Sequence, residues 1–331
     1  MSDYQGVLAY CELVEGKLTP IAAELLGGGK KLAAELGQSL SAVVVGSGVA
    51  DAAKEAGAYG ADKVYVVDDA LLANYQSDSY VAAMVKVVAE AKPQIILMGQ
   101  TAVGRDLAPL LAFKLDTAAT LDCLELAIDA SSKRLLQTKP VYGGNALAVY
   151  TTETDPQIVT VRVKTMEAAA KDDGKQAAIV TIDAGLDASA IRTKVLDHVK
   201  EEIEGIKLED ATTIISGGRG IGNPDGFKQL YELASSLNAA AVGASRPPCD
   251  NGWVPAGLQI GLTGKVVAPE LYIAIAISGA SQHMSGCSGA KTIVAINKDA
   301  EANIIKRASY AVVGDWKKVL PAFIAKVKEL K

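Results

Sequence analysis

Short β-branched runs alternate with longer amphipathic ones over the first third of the chain, and this alternation constrains the fold more than any other feature. "GVLAYCEL", "SAVVVGS", "KVYVVDD" and "QIILMGQ" predict strands. Between and after them, "PIAAELLGGGKKLAAELG", "VADAAKEAGAYG", "YVAAMVKVVAEAK" and "GRDLAPLLAFKL" predict helices. Strands separated by helices of this length form βαβ units, which require a parallel sheet. Composition agrees. Hydrophobic residues make up 50% of the chain and aromatics only 5%, so the core is built from Ala, Val, Leu and Ile, as in sheets covered on both faces. One local feature conflicts with its surroundings. Gly27, Gly28 and Gly29 stand inside a helical pattern, where each glycine costs about 1 kcal/mol against alanine. Either the helix breaks there or another backbone packs very close, and close packing is the favoured expectation.

From about Asp122 the pattern changes. "RLLQTKPVYGG", "ALAVYTT" and "QIVTVRV" are strand-like runs without a helix between them, which predicts an antiparallel addition to the first domain. A polar stretch, "MEAAAKDDGKQ", and a short strand, "AIVTIDAG", follow. The charged run "DHVKEEIEGIKLED" then reads as a linker, residues 197–210, and His198 within it as a solvated residue. A second α/β unit begins after it. "TTIISGGRGIG" is a strand ending in a glycine-rich turn, and "PDGFKQLYELASSLN" is a helix with Pro224 in its first turn. "AAAVGASR", "LYIAIAIS", "KTIVAIN" and "YAVVGD" are further strands. Trp316, Val319, Leu320, Phe323, Ile324, Val327 and Leu330 form one stripe of a final helix. The expectation is an α/β protein of two domains. Residues 1–196 form an N-terminal domain with a parallel sheet plus the antiparallel addition, and residues 211–331 form a Rossmann-like domain with a parallel sheet.

A net charge of −5 argues against general affinity for nucleic acid or an anionic membrane. No apolar run reaches the ~18 residues of a membrane span. "MSDYQGVLAYCEL" enters a strand at once, without the basic start and apolar run of a signal peptide, so the cytoplasm is the expected location. Cys11, Cys123, Cys249 and Cys287 show no metal-ligand spacing, and they read as separate reduced thiols, mostly buried.

In open parallel sheets, ligands bind at the carboxyl ends of the strands. In the second unit those ends carry Gly217, Gly218, Arg219 and Gly220; Ser245 and Arg246; Ser278, Gly279, Gln282 and His283; Asn297; and Asp315. Small and hydrogen-bonding residues converge on one edge. Glycine-rich turns let backbone N–H groups approach phosphate, and two arginines can pair phosphates or lie on an aromatic face. "GGRGIG" does not fit the GxGxxG dinucleotide fingerprint. Taken singly, Arg219 reads equally well as a surface ion-pair partner and Arg246 as a solvated loop residue, and His283 reads more readily as an ordinary packed or surface residue than as a ligand contact. No acid–base dyad or nucleophile–His–acid set can be assembled, which argues against a hydrolase.

At these residues the chain resembles a known family. "ELYIAIAISGASQHMSG" followed by "TIVAIN" is similar to the C-terminal signature of the alpha subunit of electron-transfer flavoproteins. "SGGRG", "VGASRPPCDNGWVP", "QIGLTGKVVAPELY" and "NKDAEANIIKRASYAVVGDWKKVLP" agree in order. "TAVGRDLAPLLAFKLDTAATLDC" and "KPVYGGNALA" extend the likeness to the N-terminal half. The resemblance implies a heterodimer with a beta subunit that carries single electrons between flavin dehydrogenases, of the acyl-CoA or another type, and further acceptors. It implies FAD in the C-terminal domain and an N-terminal domain that packs on the beta subunit.

Carried over by residue, the resemblance implies Arg246 over the flavin ring, Thr263 near N5, and Gln282 and His283 at the ring and ribityl region. It likewise implies Arg219, Ser245 and Ser278 around the diphosphate, and Asn297 and Asp315 at the adenosine half. Gln259, Gly261, Gly264 and Gly279 complete the cofactor-binding set. His283 and Arg246 are expected to stabilise anionic reduced flavin. Ser281 and Leu262 depart from the aliphatic residue and the Gln usual in the family, and both lie near the implied ring. The N-terminal style resembles the bifurcating branch, whose members oxidise NADH through the beta subunit and reduce ferredoxin or flavodoxin plus a high-potential acceptor. Two other readings stay open from the residues alone: an NAD-dependent dehydrogenase, and a nucleotide-sensing module without redox chemistry.

Overall fold

The computed structural model describes residues 3–144, 146–197 and 205–330. The chain divides into two compact units, one of Met1–Pro140 with Leu147–His198 and one of Val141–Ala146 with Val199–Lys331.

The first unit opens with β1 (Val7–Tyr10), α1 (Pro20–Leu36), β2 (Leu40–Gly46), α2 (Ala50–Ala58) and β3 (Lys63–Asp68). It continues with α3 (Ser77–Ala91), β4 (Ile95–Gly99), α4 (Ala102–Lys114) and β5 (Ala119–Cys123). Then come β6 (Glu125–Ile128), β7 (Leu135–Val141), β8 (Ala146–Tyr150), β9 (Gln157–Val161) and β10 (Ala178–Thr181). Seven strands form one parallel sheet in the order β10-β3-β2-β1-β4-β9-β5. β6 and β7 pair antiparallel in a separate three-stranded sheet, order β8-β7-β6.

The antiparallel addition is thus smaller than the sequence suggests. "QIVTV" is no part of it and runs parallel between β4 and β5 as β9. All five of its residues are buried, as a strand covered on both faces requires, and such a strand has no alternation from which its partners could be read. α1 is unbroken through its three glycines. A Cβ on Gly27 would lie 2.1 Å from the Glu167 carbonyl oxygen and one on Gly28 2.3 Å from Met166 Sδ. Close approach of the 166–169 segment therefore accounts for glycines in mid-helix. Pro20 starts this helix, and Gly37, at φ 67, ends it by donating to the carbonyls of Ala33 and Ala34.

The second unit contains β11 (Thr213–Gly217), α5 (Phe227–Ser235), β12 (Ala240–Ala244), α6 (Arg246–Asp250) and β13 (Leu271–Ile275). It ends with α7 (Ser281–Cys287), β14 (Thr292–Asn297), α8 (Asn303–Arg307), β15 (Tyr310–Val313) and α9 (Trp316–Glu329). Its sheet is parallel, in the order β12-β11-β13-β14-β15. Of the charged run, residues 198–204, with His198, lie outside the described residues. Leu208 and Ala211, at and just beyond its end, are buried in the core of the second unit. β15 is an exposed edge strand despite its apolar sequence. On α9, Trp316, Leu320 and Ile324 are buried, whereas Leu330, the last residue of the stripe, is exposed. Cys11, Cys123 and Cys287 are buried, and burial pushes their thiols up to about 12. Among the described residues no helix is long and apolar enough to cross a membrane.

Candidate functional site

In the second unit the chain runs from β11 outward to β12 and then returns to place β13 on the other side of β11. The strand order reverses there, and the crevice beyond the carboxyl ends of β11 and β13 is where such sheets bind ligands. A cavity of about 680 Å³ occupies it, within the usual range for small-molecule sites. Ten predicted residues line it: Arg219, Ser245, Arg246, Gln259, Gly261, Thr263, Ser278, Gln282, His283 and Asn297. Three do not. Gly264 closes the turn beneath the cavity by donating to the Gly261 carbonyl. Gly279, at φ +76, lies against Ile304, whose backbone nitrogen a Cβ would approach to 2.3 Å. Asp315 caps α9, accepting the Lys317 N–H at 3.0 Å. Asp315 thus serves a helix terminus with one carboxylate oxygen, and its expected contact to the adenosine half of a ligand would have to use the acceptor sites that remain.

The turn at residues 259–265 is tightly held. Lys265 N–H donates to the Gln259 carbonyl, Ile260 N–H to the Ala244 carbonyl and Leu262 N–H to the Gln282 carbonyl. Gln259 Nε2 donates to Thr263 Oγ1 at 2.9 Å. The Thr263 hydroxyl thus accepts from the protein and keeps its own proton to donate.

His283 lines the cavity, yet both its ring nitrogens are bonded within the protein. Its Nδ1 lies 3.0 Å from the Ile260 carbonyl oxygen and its Nε2 2.9 Å from Tyr272 Oη. A carbonyl only accepts, so Nδ1 carries the proton and Nε2 accepts the Tyr272 hydroxyl. Burial holds the ring's pKa down to about 4, against the opposing effect of the Ile260 hydrogen bond. A neutral ring with both nitrogens committed has no proton for a ligand. In this arrangement the His283 hydrogen bond to the Ile260 carbonyl holds the 259–265 turn, and the donation to a ligand expected from the sequence would require Nε2 to leave Tyr272 and the ring to change its tautomer. Tyr272, fully buried on β13, is the residue missed here, since its spacing in "LYIAIAIS" marks it only as a core position.

Asn297 is also committed. Its Nδ2 donates to the Ile277 carbonyl at 2.7 Å, and its Oδ1 accepts the Asp299 N–H at 3.0 Å. It ties the turn after β14 to the loop after β13. Arg246 is exposed, with Nε 3.0 Å from Asp250 Oδ2. Lys298 and Asp299, not singled out from the sequence, also line the cavity. Three cations then face it against one carboxylate, on a chain whose net charge is −5.

The corresponding edge of the first unit is chemically opposite. There the protein's own side chains occupy the positions an anion would take. Asp68 accepts the N–H groups of Gly48 and Val49 at the head of α2. Thr101 caps α4 through the Gly104 N–H and donates to Glu12 Oε2. Burial raises the Glu12 carboxyl, opposed by that Thr101 bond. A second anionic group at this edge would meet like charge.

Comparison with known proteins agrees with this layout. The electron transfer flavoprotein domain matches residues 7–187, and the electron transfer flavoprotein FAD-binding domain matches residues 207–288. The electron transfer flavoprotein subunit alpha of Thermoanaerobacterium thermosaccharolyticum is 46% identical, with 100% of both chains covered. The protein of the same description from Clostridium acetobutylicum is 42% identical over 99% of this chain and 98% of its own. The acryloyl-CoA reductase electron transfer subunit beta of Anaerotignum propionicum is 36% identical over 100% of this chain and 98% of its own. A parallel sheet with a cation-lined crevice, joined to these matches across the whole length, assigns the chain to the electron transfer flavoprotein alpha-subunit family.

Proposed function

We propose that the cavity of the second unit holds FAD, and that the chain, paired with a beta subunit, passes single electrons between a flavin dehydrogenase and further acceptors. The observation that carries this reading is the cavity at the strand-order reversal, lined by three cations and by most of the residues the family resemblance singles out. The excess of positive charge suits a diphosphate. Bound FAD would supply the one-electron chemistry, and the protein supplies binding, orientation and charge. Arg219, Ser245 and Ser278 would hold the diphosphate, Thr263 would donate to the ring edge, and Arg246 would place positive charge beside the ring. His283 would act at one remove, by fixing Ile260 and the turn that carries Thr263. Residues 1–196 would form the domain that packs on the beta subunit, and residues 197–210 the linker to the flavin domain. The Anaerotignum propionicum relative, an acryloyl-CoA reductase electron transfer subunit, supports an acyl-CoA-type enzyme as partner. It is also compatible with a bifurcating complex that oxidises NADH and reduces ferredoxin or flavodoxin.

The test is a flavin count on the chain co-purified with its beta partner, followed by stepwise reduction. One FAD per heterodimer, unreactive to NADH, supports the plain carrier. Two FAD, one reduced by NADH, supports the bifurcating complex. A folded heterodimer without flavin would sink both.

A further inference from the structure

The cations lining the cavity of the second unit differ in how they are paired. Arg246 is bound to Asp250 at 3.0 Å. The one carboxylate, Asp299, accepts the Glu301 N–H at 2.9 Å. Arg219 and Lys298 have no ion pair or side-chain hydrogen bond among the described residues. They follow β11 and β14, the two strands that flank β13. Their roots therefore stand two strand spacings apart, ~10 Å, with the loop after β13 rising between them. The Lys298 root is fixed: Asn297 on one side of it binds the Ile277 carbonyl in that loop, and the same side chain accepts from Asp299 on the other. An unpaired ammonium on a braced turn at a cavity wall is placed to meet an anion.

We propose that Lys298 is a phosphate-contacting residue that closes on the diphosphate from the side opposite Arg219, so that the site selects ligands carrying that group. The inference rests on the FAD reading and adds a residue to it. A lysine suits the position because its point charge on a flexible stem follows a phosphate without needing bidentate geometry.

The test uses the heterodimer stripped of flavin, with dissociation constants for FAD and for riboflavin, which lacks phosphate, read by flavin fluorescence at two salt concentrations. Lys298→Gln is expected to weaken FAD about tenfold, in the range of a charge-assisted hydrogen bond at a partly exposed site. Riboflavin affinity should not change, the salt dependence of FAD binding should become shallower, and Lys298→Arg should restore most of the loss. Lys291→Gln, which removes a surface lysine paired with Glu270, serves as the control and should leave both ligands unaffected. FAD affinity in Lys298→Gln within about twofold of wild type would overturn the assignment, as would an equal loss for FAD and riboflavin. Failure of the unaltered heterodimer to bind FAD would instead refute the cofactor reading on which it rests.

Discussion

His283 is held as a neutral ring, and this has a measurable consequence. Its pKa lies at about 4 in the folded chain against 6.5 ordinarily, because burial penalises the imidazolium. Between those values the unfolded chain binds a proton that the folded chain refuses, so stability rises with pH. This contribution is complete above pH 6.5 and is lost as pH falls toward 4. At about 1.4 kcal/mol per pH unit the whole interval is worth about 3 kcal/mol.

His283→Asn is the informative perturbation. The amide can take the place of Nδ1 and still donate to Ile260, but it leaves the buried Tyr272 hydroxyl without its acceptor, at a cost of about 1–3 kcal/mol at pH 7. The variant has no group to titrate there, so its deficit should shrink as pH falls and should vanish or reverse near pH 4.5. Denaturant unfolding of the heterodimer at matched flavin concentration measures the trend. Nitrogen chemical shifts of labelled histidine measure the cause directly, because only one other histidine, His198, is present. The His283 signals should keep the Nδ1–H tautomer down to pH 5. A midpoint near 6.5, or an Nε2–H tautomer, would refute the reasoning and leave His283 a donor available to the ligand.

Other substitutions separate structural from ligand roles. Asp315→Ala should cost about 1 kcal/mol of stability through loss of the α9 cap while leaving FAD affinity unchanged if capping is its only role; a large loss of affinity would show that the carboxylate also meets the ligand. Gly279→Ala places a Cβ 2.3 Å from a backbone nitrogen at φ +76. Calorimetry should show a loss of more than about 2 kcal/mol, and a wild-type melting temperature would contradict the packing against Ile304. Gly27→Ala would add helix propensity of about 1 kcal/mol, yet should destabilise because of the Glu167 carbonyl 2.1 Å away. A stabilised variant would show that the 166–169 segment does not rest on α1.

The strands and helices of both units were legible in the sequence because hydrophobic periodicity is local. Each run of β-branched residues and each amphipathic stripe carries its own signal within about ten residues. The position of the cavity followed from the same information, since the ends of parallel strands collect on one edge wherever their sheet places them. What the sequence could not decide is which partners side chains meet across long separations. "QIVTV" has no alternation, and only packing put it between β4 and β5. Asp315 ends a strand-like run, as Arg219 does, but it is drawn into capping the helix that follows. His283 sits at the start of α7, where its ring can face the cavity or the core. Tyr272, 11 residues away, and the Ile260 carbonyl, 23 away, take up both its ring nitrogens. An unpaired polar atom in a dry interior costs more than a lost contact with solvent or ligand, so the core claims such side chains first.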